Sequence, residues 1–131
     1  KNPYLQKPEF RQALNYLIDY KGMESTILDG SATIHQAFLP KGFLGALEET
    51  PFSLDVDKAK ALLKDAGLEN GFTVTMDTRN NFPTLDMAQA IQSTFALGGV
   101  ETAVPGTVLG KALEPLAAGK EGTIYVYVTL D

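Results

Sequence analysis

The feature that most limits what this chain can fold into is the order of its periodicities after Asn70-Gly71. Phe72, Val74 and Met76 alternate with Thr73, Thr75 and Asp77, the two-residue period of a strand with one buried face. Leu85, Ala88, Ile91, Gln92 and Phe95 then fall on one face of a helix that Thr84 could cap and Gly98-Gly99 ends. Val100 to Val104 reads as a second strand, Leu109 to Ala118 as a weaker helix interrupted near Pro115, and Thr123 to Leu130 as a third strand. Strands separated by crossover helices form parallel sheets, with right-handed connections. The fold class expected is therefore α/β, a small mostly parallel sheet flanked by helices on both faces.

Upstream the chain is helical with one long interruption. Pro8 suits a first helical turn, and Phe10, Ala13, Leu14, Leu17 and Ile18 form one buried stripe that Gly22 should interrupt. Met23 to Leu28 reads as a short second helix leaving through Asp29-Gly30. From Ser31 to Leu54 no period is sustained, and Pro40, Gly42, Gly45 and Pro51 mark a long surface excursion, expected to be held by Phe38, Leu39, Phe43 and Leu44. Asp55 or Asp57 then caps a helix that buries Val56, Ala59, Leu62, Leu63 and Ala66 and closes at Gly67. No linker divides the sequence, so residues 1–131 are expected to be a single α/β domain.

Composition removes several function classes. A net charge of −5 without clustered Lys or Arg is wrong for tracking phosphates, so nucleic acid is not an expected partner. The absence of cysteine excludes disulfides, thiolate nucleophiles and cysteine-ligated zinc. No apolar stretch approaches the roughly 20 residues that span a bilayer, and the first residues lack the basic and apolar regions of a signal peptide, so any export signal is expected to have been removed.

Four segments carry a family resemblance. DVDKAKALLKDAGLENGF, Asp55 to Phe72, resembles a segment typical of the peptide, nickel and opine type (family 5) of periplasmic solute-binding proteins of ABC transporters. KPEFRQALNYLIDYKGM resembles the helix that opens the family's second lobe, with Phe10 where Val is usual and Arg11, Gln12, Ala13, Leu14, Ile18 and Asp19 in place. FLPKGFLGALEETPFSLD and RNNFPTLDMAQAIQSTFALGGVE are similar to the loop, helix and strand that follow, so the likeness runs from about Lys7 to Val108. It implies a three-layer lobe of the type II periplasmic-binding-protein kind, a periplasmic location, and a ligand held noncovalently between two hinged lobes whose closed form an ABC permease reads. This chain would be the second lobe, with the first lobe missing. The C-terminal stretch departs from the pattern. LEPLAAGKEGTIYVYVTLD has neither the Tyr-Arg-Ala-Arg nor the Trp-Gly-Xaa-Asp-Tyr motif usual there, and the chain contains no tryptophan. The departure suggests a segment altered by design or selection so that an excised lobe stands alone.

The leading candidate site is the loop Asp77, Thr78, Arg79, Asn80 and Asn81, because ligands of open α/β sheets bind beyond the carboxyl ends of strands. The loop leads into a helix start, which favours anions. Arg79 offers a two-pronged contact to a carboxylate and the asparagines offer hydrogen bonds to a peptide backbone. On the last strand Tyr125, Tyr127, Thr129 and Asp131 alternate; Tyr127 and Thr129 are placed on the ligand rim, against the plainer reading that the tyrosines pack on the sheet. His35 has no acid or nucleophile in local register and reads as a loop-packing residue. Glu48-Glu49 and Asp55-Asp57 read as acids beside a helix start. Gly98, Gly99, Gly106 and Gly110 lack the spacing of a phosphate-binding fingerprint.

These observations indicate a binding module for oligopeptides or related amino-acid conjugates, with no catalytic residues, metal or cofactor. The alternative is an isolated engineered domain that binds no small molecule and associates with itself, as a homodimer, through an exposed cleft face or the edge strand near Thr123 to Leu130.

Overall fold

A computed structural model describes residues 3–103 and 122–125. After a 3-10 turn at Tyr4–Gln6, helix α1 (Pro8–Tyr16) starts with Pro8 inside its first turn, where the missing N–H has no partner to lose. Phe10, Ala13 and Leu14 are its buried stripe, and Leu17 follows them fully into the core. The helix stops well before Gly22. Leu17 closes it with a tight N–H bond to the Leu14 carbonyl, and a second helix, α2 (Tyr20–Thr26), begins after Asp19. Gly22 therefore lies inside α2. The cap explains this: the Asp19 carboxylate accepts from the Gly22 N–H at 3.0 Å and occupies the space that a Cβ on residue 22 would need. The expected left-handed exit is present at Asp29 (φ 45°) and Gly30 (φ 71°).

The excursion that follows is held differently from the sequence-based expectation. Phe38 and Leu44 are essentially fully exposed, and Phe43 and Leu39 are exposed as well, so none of the four anchors the segment. Its base is fastened by a polar bracket: the Gln36 amide donates to the Phe52 carbonyl at 2.8 Å and accepts from the Phe52 N–H at 2.9 Å. The Phe52 ring meets Tyr16 edge-on at 5.1 Å, the Asp55 N–H donates to the Tyr16 carbonyl, and the Lys58 ammonium lies over the Tyr16 ring at 4.2 Å. A side-chain amide that satisfies both backbone groups of one residue fixes a loop more sharply than apolar contact at its tip.

Helix α3 (Val56–Asp65) is capped by Asp55, whose carboxylate accepts from the Lys58 N–H at 2.9 Å, while Asp57 sits in the first turn, where the helix dipole favours an acid. Ala59, Leu63 and Ala66 are buried, Val56 and Leu62 are partly so, and Gly67 (φ 75°) ends the element. Lys7 ties the start of α1 to this end by donating to the Ala66 carbonyl.

The sheet is parallel throughout its described part, in the order β2-β1-β3, with β1 (Phe72–Asp77) between β2 (Val100–Ala103) and β3 (Gly122–Tyr125). Val74 pairs with Thr102 on one side, and Met76 and Asp77 pair with Ile124 and Tyr125 on the other. Val74, Met76 and Val100 are fully buried in one core with Phe10, Leu17, Ala88, Ile91 and Phe95. Phe72 bridges it to the N-terminal segment, with Phe10 and Tyr4 edge-on at 5.1 and 4.7 Å. Thr73 and Glu101, one residue out of that alternation, are exposed. Gly71 and Gly99 (φ 94° and 81°) let the starts of β1 and β2 approach, since a Cβ on residue 71 would lie 2.8 Å from the Gly99 carbonyl oxygen.

Helix α4 (Thr84–Leu97) connects β1 to β2 and buries Ala88, Ile91 and Phe95. Thr84 does not cap it. Pro83 holds the cap position without a side-chain bond, and Thr84 is the first helical residue, itself buried. At the other end Gly98 packs on Leu17, whose side chain fills the space a Cβ would take. The expectation of helices on both faces rests, for the second face, on Leu109 to Ala118, which lies outside the described residues, as does the last strand beyond Tyr125.

Two measurements check this account. Asp55→Ala should lower unfolding stability in urea by about 1 kcal/mol, whereas Asp57→Ala, which removes no cap, should change it by less than about 0.5 kcal/mol. Burial pushes the Tyr20 hydroxyl up from 10.0 to about 12. Between those values the unfolded chain gives up this proton before the folded chain does, so its contribution to stability is intact below pH 10 and falls as pH rises toward 12. Tyr20→Phe should flatten that part of an alkaline denaturation profile and leave stability at neutral pH little changed.

Candidate functional site

Because β1 runs parallel to both neighbours, the carboxyl ends of the three strands share one edge of the sheet, and β1, the strand from which the chain first leaves for α4, is central there. An α/β sheet opens a crevice at such a point, since successive connections diverge from it. The loop from Thr78 to Pro83 fills the step between strand and helix. Asn81 and Pro83 present their carbonyls to the N–H groups of Leu85 and Met87 at 3.1 and 3.0 Å, which fixes the loop to the first turn of α4. From inside, the buried Thr78 hydroxyl lies 3.4 Å from the carbonyls of both Arg79 and Thr84. The Phe82-Pro83 peptide is cis.

The candidate residues divide sharply by exposure. Arg79, Asn80 and Asn81 are all exposed. Asp77 and Thr78 are each only 8% exposed. Both carboxylate oxygens of Asp77 are shielded from solvent and have no hydrogen-bond partner among the described residues. Five contiguous candidates are thus brought to one strand end, although they play unlike parts. Tyr127 and Thr129 lie outside the described residues; Tyr125, on the same strand, is in register with Asp77.

One residue of this loop escaped the sequence reading. Phe82, which follows Asn81, is 70% exposed, an apolar surface in the same loop. The available signal was its setting, an aromatic residue in a polar loop immediately before proline. His35 lies at the base of the excursion, next to Gln36, its Nε2 at 2.6 Å from the Leu39 carbonyl, which is the loop-packing role expected of it. A concavity of about 500 Å³, lined by Lys60, Leu63, Lys64, Leu68 and Leu97, sits at the opposite edge, where β1 and β2 begin. It is open, and no buried polar group converges on it.

Comparison with known proteins identifies the family and the fold. The family described as bacterial extracellular solute-binding proteins, family 5, middle region, matches residues 1–125. The chain belongs to that family. It is 34% identical over 105 residues to the glutathione-binding protein GsiB of Pectobacterium atrosepticum, covering 79% of this chain and 20% of that protein. Among solved structures, AgaA of A. tumefaciens R10 in complex with agropinic acid superposes with a TM-score of 0.69 at 35% identity, over 78% of this chain and 22% of that one. The periplasmic binding protein DppA of Helicobacter pylori, in complex with the peptide STSA, gives 0.75 at 28% identity, over 92% and 23%. The chain therefore spans about a fifth to a quarter of the length of these relatives, and its fold is that of an α/β lobe of a periplasmic binding protein.

Proposed function

We propose that this family 5 chain is the second lobe of a solute-binding protein for oligopeptides or related amino-acid conjugates, and that the loop Asp77 to Asn81 lines its ligand cleft. The observation that carries the reading is the exposed Arg79–Asn81 group at the carboxyl end of the central parallel strand, in a chain of this family. Arg79 presents a planar guanidinium suited to a carboxylate, the asparagines offer donors and acceptors to an amide backbone, and Phe82 supplies an apolar wall. Residues 1–131 act as a single domain, with Tyr127 and Thr129 on the rim. The relatives' ligands, glutathione, agropinic acid and the peptide STSA, all join carboxylates to amine or amide nitrogen, the chemistry that this loop can read. Binding is noncovalent and needs no cofactor or catalytic group. A first lobe completes the cleft, an ABC permease receives the solute, and the periplasm is where both operate.

One observation favours a second reading, an isolated structural domain, engineered at its C-terminal segment, that associates with itself. Phe38, Phe43, Leu44 and Leu47 are more than 60% exposed on one excursion, a run of apolar surface that water does not favour. Sedimentation of the chain and of Phe38→Ser/Leu44→Ser separates the two: a dimer that this pair of changes dissolves, with no ligand response, supports the structural reading.

For the binding reading the test is a thermal-shift screen against di- to pentapeptides, opines and nickel chelates. Ligand at about 100 times its dissociation constant stabilises a protein by roughly 2.7 kcal/mol, or several degrees for a domain of this size. The expected result is a saturable shift with carboxylate-bearing peptides or conjugates that Arg79→Ala reduces at least tenfold in affinity. The absence of any shift at millimolar ligand would overturn it.

A further inference from the structure

Two apolar features of this chain, one projecting and one hollow, stand beside pairs of charges of opposite sign. The projecting one is the excursion, where Phe38 and Leu44 are bare to water and Phe43 and Leu47 are each 63% exposed. Directly after Leu47 come Glu48 and Glu49, both exposed and without an ion pair or hydrogen bond among the described residues. The acids next along the chain, Asp55 and Asp57, are taken up by the start of α3, whereas these two lie outside that helix. The excursion is a fastened arm, since the Gln36 amide bonds both backbone groups of Phe52 at its base. Apolar side chains held in water on such an arm carry a free-energy cost that a covering surface removes.

The hollow one is the concavity of about 500 Å³ at the edge where β1 and β2 begin. Leu63, Leu68 and Leu97 give it an apolar lining, and Leu97 is 53% exposed. Lys60 and Lys64 line it too, both exposed and likewise without an ion pair or hydrogen bond among the described residues. They stand one turn apart on α3, with about 5–6 Å between Cβ atoms, and like charges at that spacing repel, so acidic neighbours relieve the helix. Glu69 is the one acid in the lining. No buried polar group converges there to hold a small solute, whereas a docked chain segment needs an apolar centre with charges around it. The arm joins the amino end of α3 and the concavity lies along its carboxyl half, so the exposed arm leaves its own concavity uncovered.

We propose that the arm of one copy docks in the concavity of a second, its apolar side chains against the leucine lining and Glu48 and Glu49 beside Lys60 and Lys64. The contact joins unlike patches and is therefore heterologous. It rests on the self-association of the second reading above, and needs neither an engineered origin nor the loss of solute binding. Its test is sedimentation of the unsubstituted chain, of Lys60→Glu/Lys64→Glu, of Glu48→Lys/Glu49→Lys, and of an equimolar mixture of the two variants. All four positions are exposed, so both variants should fold as the unsubstituted chain does, which circular dichroism checks. Each variant alone brings like charges together and should weaken association by about tenfold or more. The mixture offers a basic arm to an acidic concavity and should restore association. Both variants keep a net negative charge, starting from −5, so a general attraction between them does not account for that rescue. Leu97→Ser, which removes the exposed part of the lining, should also weaken association. If either charge variant alone associates as the unsubstituted chain does, if the mixture stays monomeric, or if Leu97→Ser changes nothing, the proposal falls. In that case the self-association still stands where Phe38→Ser/Leu44→Ser dissolves it. If the unsubstituted chain is a monomer at millimolar concentration, the two fall together.

Discussion

The parallel pairing of β1 on both of its edges is the constraint on which the rest of this molecule depends. β1 pairs over Phe72 to Thr75 with β2 and over Val74 to Asp77 with β3, and its inward side chains, Val74 and Met76, are fully buried between the elements that cover the sheet. Parallel pairing also demands a crossover, and α4 is that crossover, returning the chain to the start of β2 through Gly98 and Gly99. Helix α1 then covers the core these strands present, Phe10 meeting Phe72 and Leu17 meeting the end of α4. The two ends of the strand are unlike for this reason. At the start, two glycines allow close approach of backbone to backbone; at the finish, the chain must leave the sheet, and polar side chains accumulate where it does.

Polar side chains divide between those that satisfy the backbone and those that do not. Asp19, Asp55 and Gln36 each satisfy backbone groups that would otherwise go unpaired at a helix start or a loop base. Asp77 satisfies nothing and is satisfied by nothing among the described residues. The contrast within one small core is sharper than any that exposure gives, since Arg79 and Asn80 are exposed as any surface residue is. The same distinction applies to apolar groups: Phe10 and Phe95 are enclosed, whereas Phe38 and Leu44 stand in water on a segment whose own base is firmly tied. Family 5 relatives are four to five times as long as the region matched.

What the sequence by itself determined are the features that depend on neighbours a few positions away. The stripe Phe10, Ala13, Leu14 and Leu17, the Asp55 cap, the alternation along β1 and the order strand, helix, strand all follow from spacing, because a helix repeats every 3.6 residues and a strand every two. The candidate loop was legible on the same footing: a polar run between a strand and a helix falls at the sheet's carboxyl edge whatever else surrounds it. The tertiary structure alone decided matters that turn on burial by distant residues. It ended α1 at Tyr16, because Asp19 had a better use as the cap of α2 than as part of a longer helix. It left Phe38, Phe43 and Leu44 outside, because the amide of Gln36 and not their apolar surface fastens the excursion. And it enclosed Asp77 without a donor among the described residues, a circumstance invisible in sequence because a carboxylate at a strand end is ordinarily hydrated and only tertiary packing removes the water.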